Sequence, residues 1–174
     1  MKRPIINLAD VELNAWGHGA SVPMMGEASE KFQAQLGPIS GPLGAKLLGY
    51  GLVVVRPGKA AFPFHNHVAN EEMFFVLEGA GEIRIGDQRY PIKKGDVIAC
   101  PPGGTETARQ IVNTGESDLH YLGVSTRLSP EILQYPDTKR VAFAAILAPD
   151  ASGQPRMVRQ IVRDGETMQY WDEE

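Results

Sequence analysis

The chain has 174 residues, which suits one domain with its own hydrophobic core and is too short for two. The apolar fraction is 43% and the net charge is −4, with acids and bases mixed along the chain and no basic stripe of the kind that nucleic acid demands. No apolar run is long enough to span a bilayer, so a membrane partner is not expected.

Met1-Lys2-Arg3-Pro4 leads into a short apolar stretch and then Asp10 and Glu12. It lacks the apolar core of a signal peptide, and the expectation is a cytoplasmic protein. Residues 1–45 read as an irregular arm packed on the domain, with turn formers at Gly17-His18-Gly19, Gly37-Pro38 and Gly41-Pro42-Leu43-Gly44. One short, weakly amphipathic helix is expected over residues 27–35. From Leu47 the pattern changes. Leu52-Val53-Val54-Val55 is a buried strand, closed by Pro57-Gly58. Further strands are expected over residues 61–67, 72–77, 82–85, 89–92, 97–100, 108–112 and 119–124, with turns such as Gly86-Asp87 and Asn113-Thr114-Gly115 between them. Residues 130–133 form one helical turn at most, and 141–147 and 157–162 are late strands. The apolar Tyr170-Trp171 suggests a tail docked on the domain. Strands at this spacing, with 19 Gly and 13 Pro, indicate an all-β sandwich or barrel. The barrel core is assigned to residues 46–126, and residues 127–174 to an extension that completes or flanks it. The single cysteine, Cys100, follows Val97-Ile98-Ala99 and reads as a packed thiol.

His65-Asn66-His67 places two imidazoles at i and i+2, which lie on one face of a strand and converge on one point. Glu72, five residues on, returns to that point from the next strand. Two histidines and a carboxylate suit Fe(II) with open positions, and imidazole suits Zn, Ni and Cu as well. The expected cofactor is therefore one divalent ion, with Fe, Mn, Zn and Ni as candidates. If Glu72 faces inward, Phe74 and Val76 share its face, either as packed core or as walls of a pocket for a small ligand. His18, alone among glycines, is given no role.

The run Pro57-Gly58, His65-Asn66-His67, Glu72 and Gly79 resembles the first cupin motif, in which a glycine stands seven positions after the Glu. That spacing selects Glu72 over Glu71. Gly95-Asp96, Pro101, Gly103 and Asn113 resemble the second motif. The resemblance covers about residues 45–126. It implies a double-stranded β-helix, the cupin or jelly-roll barrel, often as a homodimer. The flanks, including Tyr135-Pro136-Asp137 and Tyr170-Trp171-Asp172, resemble a bacterial single-domain subgroup in which some members carry a sugar-phosphate isomerase label.

The second motif of that family supplies a third histidine four residues before its Asn. Counting back from Asn113 gives Arg109, whereas counting forward from Pro101 and Gly103 gives Glu106. The count from the turn is preferred, because a strand keeps register with its own hairpin. Arginine has no lone pair for a metal. Three arrangements stay open: a metal held by three ligands alone, Arg109 paired with Glu72 in a metal-free site, or Arg109 beside a three-ligand metal as the contact for an anionic ligand. His120, on the partner strand, is an alternative ligand. Two functions follow. One is a metalloenzyme, an isomerase or dioxygenase, acting on a small anionic or sugar-like molecule. The other is a non-catalytic binding or sensing module with a degenerate metal site. Glu71 and Glu106 are candidate proton carriers, and no catalytic residue is assigned.

Overall fold

The computed structural model describes residues 4–21, 26–150, 152–154 and 156–171. The first strands in the chain are β1 (Asn14–Gly17), β2 (Gln33–Pro38), β3 (Leu48–Val55) and β4 (Asn66–His67). The middle of the chain supplies β5 (Glu72–Glu78), β6 (Ala80–Ile85), β7 (Gln88–Lys93), β8 (Val97–Cys100) and β9 (Arg109–Val112). The last are β10 (Leu119–Thr126), β11 (Glu131–Tyr135), β12 (Arg140–Leu147) and β13 (Arg156–Arg163). Among the described residues, helix is confined to Ser40–Leu43 and three short 3-10 turns.

The strands form three antiparallel sheets, ordered β1-β2-β3-β10-β5-β8, β13-β12-β11-β4 and β7-β6-β9. Glu72 belongs to the first sheet, His67 to the second and Arg109 to the third, so the site draws on all three. The interior is filled by Val53, Val55, Val76, Ile83, Ile92, Ile111, Leu119 and Tyr121. Each such apolar side chain contributes roughly 1.5–3 kcal/mol by leaving water. Burial on both faces explains why β3 ends in a continuous apolar run rather than an alternating one. Val53 and Val55 join the barrel core, while Leu52 and Val54 pack on the opposite face with Val11 and Ile39 of the N-terminal arm.

Turn chemistry fixes the registers that place the site. Gly79 joins β5 to β6 at φ +81°, and a Cβ there would lie 2.5 Å from the Asp118 carbonyl oxygen. Asn113 is fully buried. Its Nδ2 donates to the carbonyls of Val55 (2.7 Å) and Ser117 (2.8 Å), and its Oδ1 accepts from the Gly115 amide (2.9 Å). This locks the connection between β9 and β10, and so the position of Arg109.

Several expectations change. The arm is irregular only in part, because β1 and β2 extend the largest sheet. Residues 27–35 form no helix; Ala34 and Leu36 alternate inward on β2, which is a strand period. Residues 130–133 lie largely in β11, whose pairing with β4 and β12 leaves no helical turn there. Of residues 61–67 only Asn66–His67 is regular strand, because Pro63 offers no amide to a ladder. The apolar end of the tail does not dock: Tyr170 and Trp171 are 87% and 84% exposed and meet each other edge to face. Among the described residues no helix is long and apolar enough to cross a membrane.

Candidate metal centre

His65 and Arg109 face each other across a short bridge. The Arg109 amide donates to the His65 carbonyl at 2.8 Å, and the His65 amide to the Arg109 carbonyl at 3.2 Å. Two residues on, His67 lies on β4 beside Leu133 of β11. The two rings stand 5.2 Å apart, and the His65 ring stacks on Tyr135 at 5.9 Å. Glu72 opens β5 between Ser125 and Cys100. One donor atom from each of His65, His67 and Glu72 lies within 4.8 Å of the others.

Hydrogen bonds select the tautomers. His65 Nδ1 meets the Pro63 carbonyl at 2.7 Å, so that nitrogen carries the proton and Nε2 keeps its lone pair. Burial pushes the His65 pKa down to about 4, with the Glu72 charge working in the other direction, so the ring is neutral at pH 7. His67 Nδ1 donates to Glu131 Oε2 at 3.3 Å, while its Nε2 lies 3.8 Å from Glu72 Oε1. Both imidazoles thus keep Nε2 free for a metal.

Glu131 is buried and ringed by donors. Its carboxylate accepts from the amides of Ala69 (3.1 Å), Asn70 (3.0 Å) and Ile132 (2.9 Å), and from the Asn70 side chain. Burial alone would raise its pKa; the Ala69 amide, the Asn70 side chain and His67 together hold it below the usual carboxylate value. A carboxylate behind a histidine in this way fixes both tautomer and ring direction. Sequence reasoning missed Glu131, because reading 130–133 as a helical turn hides β11. An acid directly after Pro130 and ahead of Ile132-Leu133 was the available signal.

Arg109 is 1% exposed. Its Nε and Nη2 donate to Glu72 Oε2 at 3.1 and 2.6 Å, and its Nη1 is buried with no partner. The carboxylate is therefore divided, with Oε2 on Arg109 and Oε1 toward His67. Glu106 is elsewhere: it sits in the 3-10 turn Thr105–Thr107, exposed, and accepts from the Gly104 amide. Glu71 is also exposed. His120 lines a separate cavity with Leu8, Val11 and Leu77 on the outer side of the sheet. His18 Nδ1 meets the Ala28 carbonyl, away from the site. Cys100 is buried, and burial pushes its thiol pKa up to about 11, so it is a packed, unreactive group.

The three donors open on a cavity of about 400 Å³ with Trp16, Phe62, Phe74 and Tyr135 in its walls. Phe74 also meets Tyr121 edge to face at 5.6 Å. Val76 is fully buried in the core cluster and does not reach this cavity. Arg140 and Arg159 from β12 and β13 line it too, and the sequence alone does not single out either.

Comparison with known proteins agrees with this architecture. Residues 51–125 match the family described as Cupin domain. The chain is 36% identical over 58 residues to an uncharacterized protein of Methanocaldococcus jannaschii, covering 33% of this chain and 44% of that protein. It is 32% identical over 68 residues to an oxalate-binding protein of Thermotoga maritima, covering 39% and 54%. These matches span only about half of either curated relative. The crystal structure of a sugar phosphate isomerase from a cupin superfamily, from Silicibacter pomeroyi, superposes with a TM-score of 0.73 at 25% identity, covering 96% of this chain and 98% of that one. The matched segment, residues 51–125, spans His65, His67, Glu72 and Arg109, so the part of the chain that carries the candidate site is similar to a cupin domain.

Proposed function

We propose that the protein holds one divalent metal ion, Fe, Mn, Zn or Ni, on His65, His67 and Glu72, and acts as a metalloenzyme on a small anionic, sugar-like molecule, as a sugar-phosphate isomerase does. The observation that carries this is the gathering of two Nε2 lone pairs with one free carboxylate oxygen. Donors on one metal lie ~3.0–3.4 Å apart for bonds of ~2.1 Å. The 3.8 Å between His67 Nε2 and Glu72 Oε1 therefore needs only a small side-chain closure. When bound, the ion supplies Lewis-acid polarisation of a carbonyl or hydroxyl oxygen.

The chain's own residues do the rest. Glu131 keeps the His67 proton on Nδ1, and the Pro63 carbonyl keeps the His65 proton on Nδ1. Arg109 holds Glu72 Oε2, which orients the carboxylate and spreads its charge. Phe62, Phe74 and Trp16 exclude water around the ligand. The Silicibacter pomeroyi relative supports the isomerase reading.

One observation favours a second reading, a non-catalytic binding module with a degenerate metal site. Glu72 is the only carboxylate lining the cavity, among the described residues, and it is paired with Arg109. Among those residues no second carboxylate is placed to move a proton between carbons. Incubating the metal-loaded protein with a panel of aldose phosphates separates the two. The isomerase reading expects ketose formation that disappears in His67→Ala; binding without turnover selects the module. A homodimer belongs to the same proposal, supported by the exposed apolar residues Phe143 and Val158, which share the face of β12 and β13 opposite to the cavity. Light scattering that gives the mass of a monomer at micromolar concentration would remove that part.

A further inference from the structure

The cavity above the three donors carries two arginines that neither the fold nor the proposed metal requires. In the β12–β13 pair, Arg140 stands opposite Arg163, Ala142 opposite Ile161, and Ala144 opposite Arg159. Strand alternation puts residues 140, 142 and 144 on one face, with 159, 161 and 163 beside them. At its centre that face turns toward the cavity, with Ala142 fully buried and Ile161 and half-buried Arg159 in the wall, and it opens to solvent toward Arg140, which is exposed and lines the cavity rim. Arg140 and Arg159 therefore flank the Ala142–Ile161 pair from opposite directions, with backbones ~13 Å apart along the strands. Two long side chains can span that separation around one small ligand.

Arg140 is steadied by its surroundings. Its Nε donates to Thr138 Oγ1 at 3.0 Å, and its Cζ lies 5.7 Å from the centroid of the Tyr135 ring. The same ring stacks on His65. Among the described residues, the two Nη groups of Arg140 meet no carboxylate. Arg159 is the one half-buried residue of a strand that is otherwise exposed, and it makes no ion pair among the described residues. This contrasts with Arg84, Arg89, Arg109 and Arg163, each of which meets an acid. Glu72, the one carboxylate in the cavity wall among those residues, is already engaged by Arg109. Charges on an edge strand often serve to block aggregation. That accounts for the exposed Arg156 and Arg163, but not for an inward-lining, half-buried arginine with no acid beside it.

We propose that Arg140 and Arg159 form the binding site for the phosphoryl group of a small phosphorylated ligand whose other end meets His65, His67 and Glu72. Two guanidinium forks match the oxygens of a phosphate dianion, and a wall with two uncompensated positive charges disfavours neutral or cationic ligands. A cavity of about 400 Å³ holds a molecule of that size. The orientation of the ligand rests on the proposed metal site; the anion site itself does not.

The test is calorimetric titration of the full chain, at constant ionic strength, with inorganic phosphate, glycerol phosphate and glycerol. The proteins are the parent, Arg140→Gln, Arg159→Gln, Arg163→Gln and His67→Ala, with metal content and thermal unfolding measured on each. The parent is expected to bind both phosphates and not glycerol. Arg140→Gln and Arg159→Gln should each weaken phosphate binding by about tenfold or more, the scale of one charge-assisted hydrogen bond, with metal content unchanged. Arg163→Gln, exposed and paired with Glu166, should bind like the parent. Retention of phosphate binding by His67→Ala supports the arginine site even if the metal reading fails. Parent-like affinity in folded Arg140→Gln and Arg159→Gln overturns the proposal, as does a parent that binds no phosphate. Phosphate binding lost in His67→Ala but kept in both arginine variants also overturns it, by placing the anion on the metal instead.

Discussion

Glu131→Ala is expected to lower the unfolding free energy by about 3 kcal/mol or more, because it leaves the amides of Ala69, Asn70 and Ile132 without acceptors at a buried site. The same change should weaken metal binding roughly 10–100-fold, the usual scale for losing the group that orients a histidine ligand. In the proposed site Glu131 acts through the His67 ring, whose Nδ1 it meets. Glu131→Gln keeps the shape and one acceptor oxygen, so it should lose less stability while still weakening the metal. The depressed pKa of Glu131 sets the sign of the pH effect. Its contribution is complete above the ordinary carboxylate pKa and is lost as pH falls through the lower folded value. Urea unfolding at neutral and acid pH, with metal titration on the same samples, checks both parts. A folded Glu131→Gln with parent affinity would show that His67 is oriented by something else.

Arg109→His is expected to raise metal affinity on the order of tenfold or more, by removing a cation from beside the ion and adding a fourth donor. Arg109 stands directly across the bridge from His65 with its side chain inside the barrel, so an imidazole there starts from the same side of the site. Freed from Arg109, Glu72 can offer both oxygens. Arg109→Met should act on stability: it leaves the Glu72 carboxylate without its partner in a mostly buried setting, at a cost of about 3–5 kcal/mol. Metal titration and denaturant unfolding of the two variants separate these effects. Unchanged metal affinity in Arg109→His would place this residue outside the metal's reach.

The parts of the molecule that could be read from the sequence are those with local signals. Leu52–Val55, the Gly79 turn and the Asn113–Gly115 turn announce themselves by composition, and with them come the barrel and the placement of Arg109 by counting back from Asn113. His65, His67 and Glu72 were legible because period-2 geometry and a fixed spacing bring them together. What was hidden depends on distant chain. β11 pairs with its chain neighbour β12, but the pairing that brings Glu131 to the site is with β4 far back in the sequence, as in Leu133 with His67, so no local pattern ties Glu131 to His67. Arg140 merely opens the apolar strand β12, and Arg159 sits in β13, which looks like an ordinary charged edge, until the fold turns both toward the cavity. Val76 shares the face of Glu72, as alternation requires, yet lies too deep to touch a ligand in that cavity.

Metal analysis and titration of the parent chain beside His67→Ala decide whether His65, His67 and Glu72 hold a metal. One divalent ion per chain is expected in the parent, with occupancy lowered by the nearby Arg109, and none in folded His67→Ala. Equal binding by the two proteins, or binding by neither, would contradict the proposed metal site.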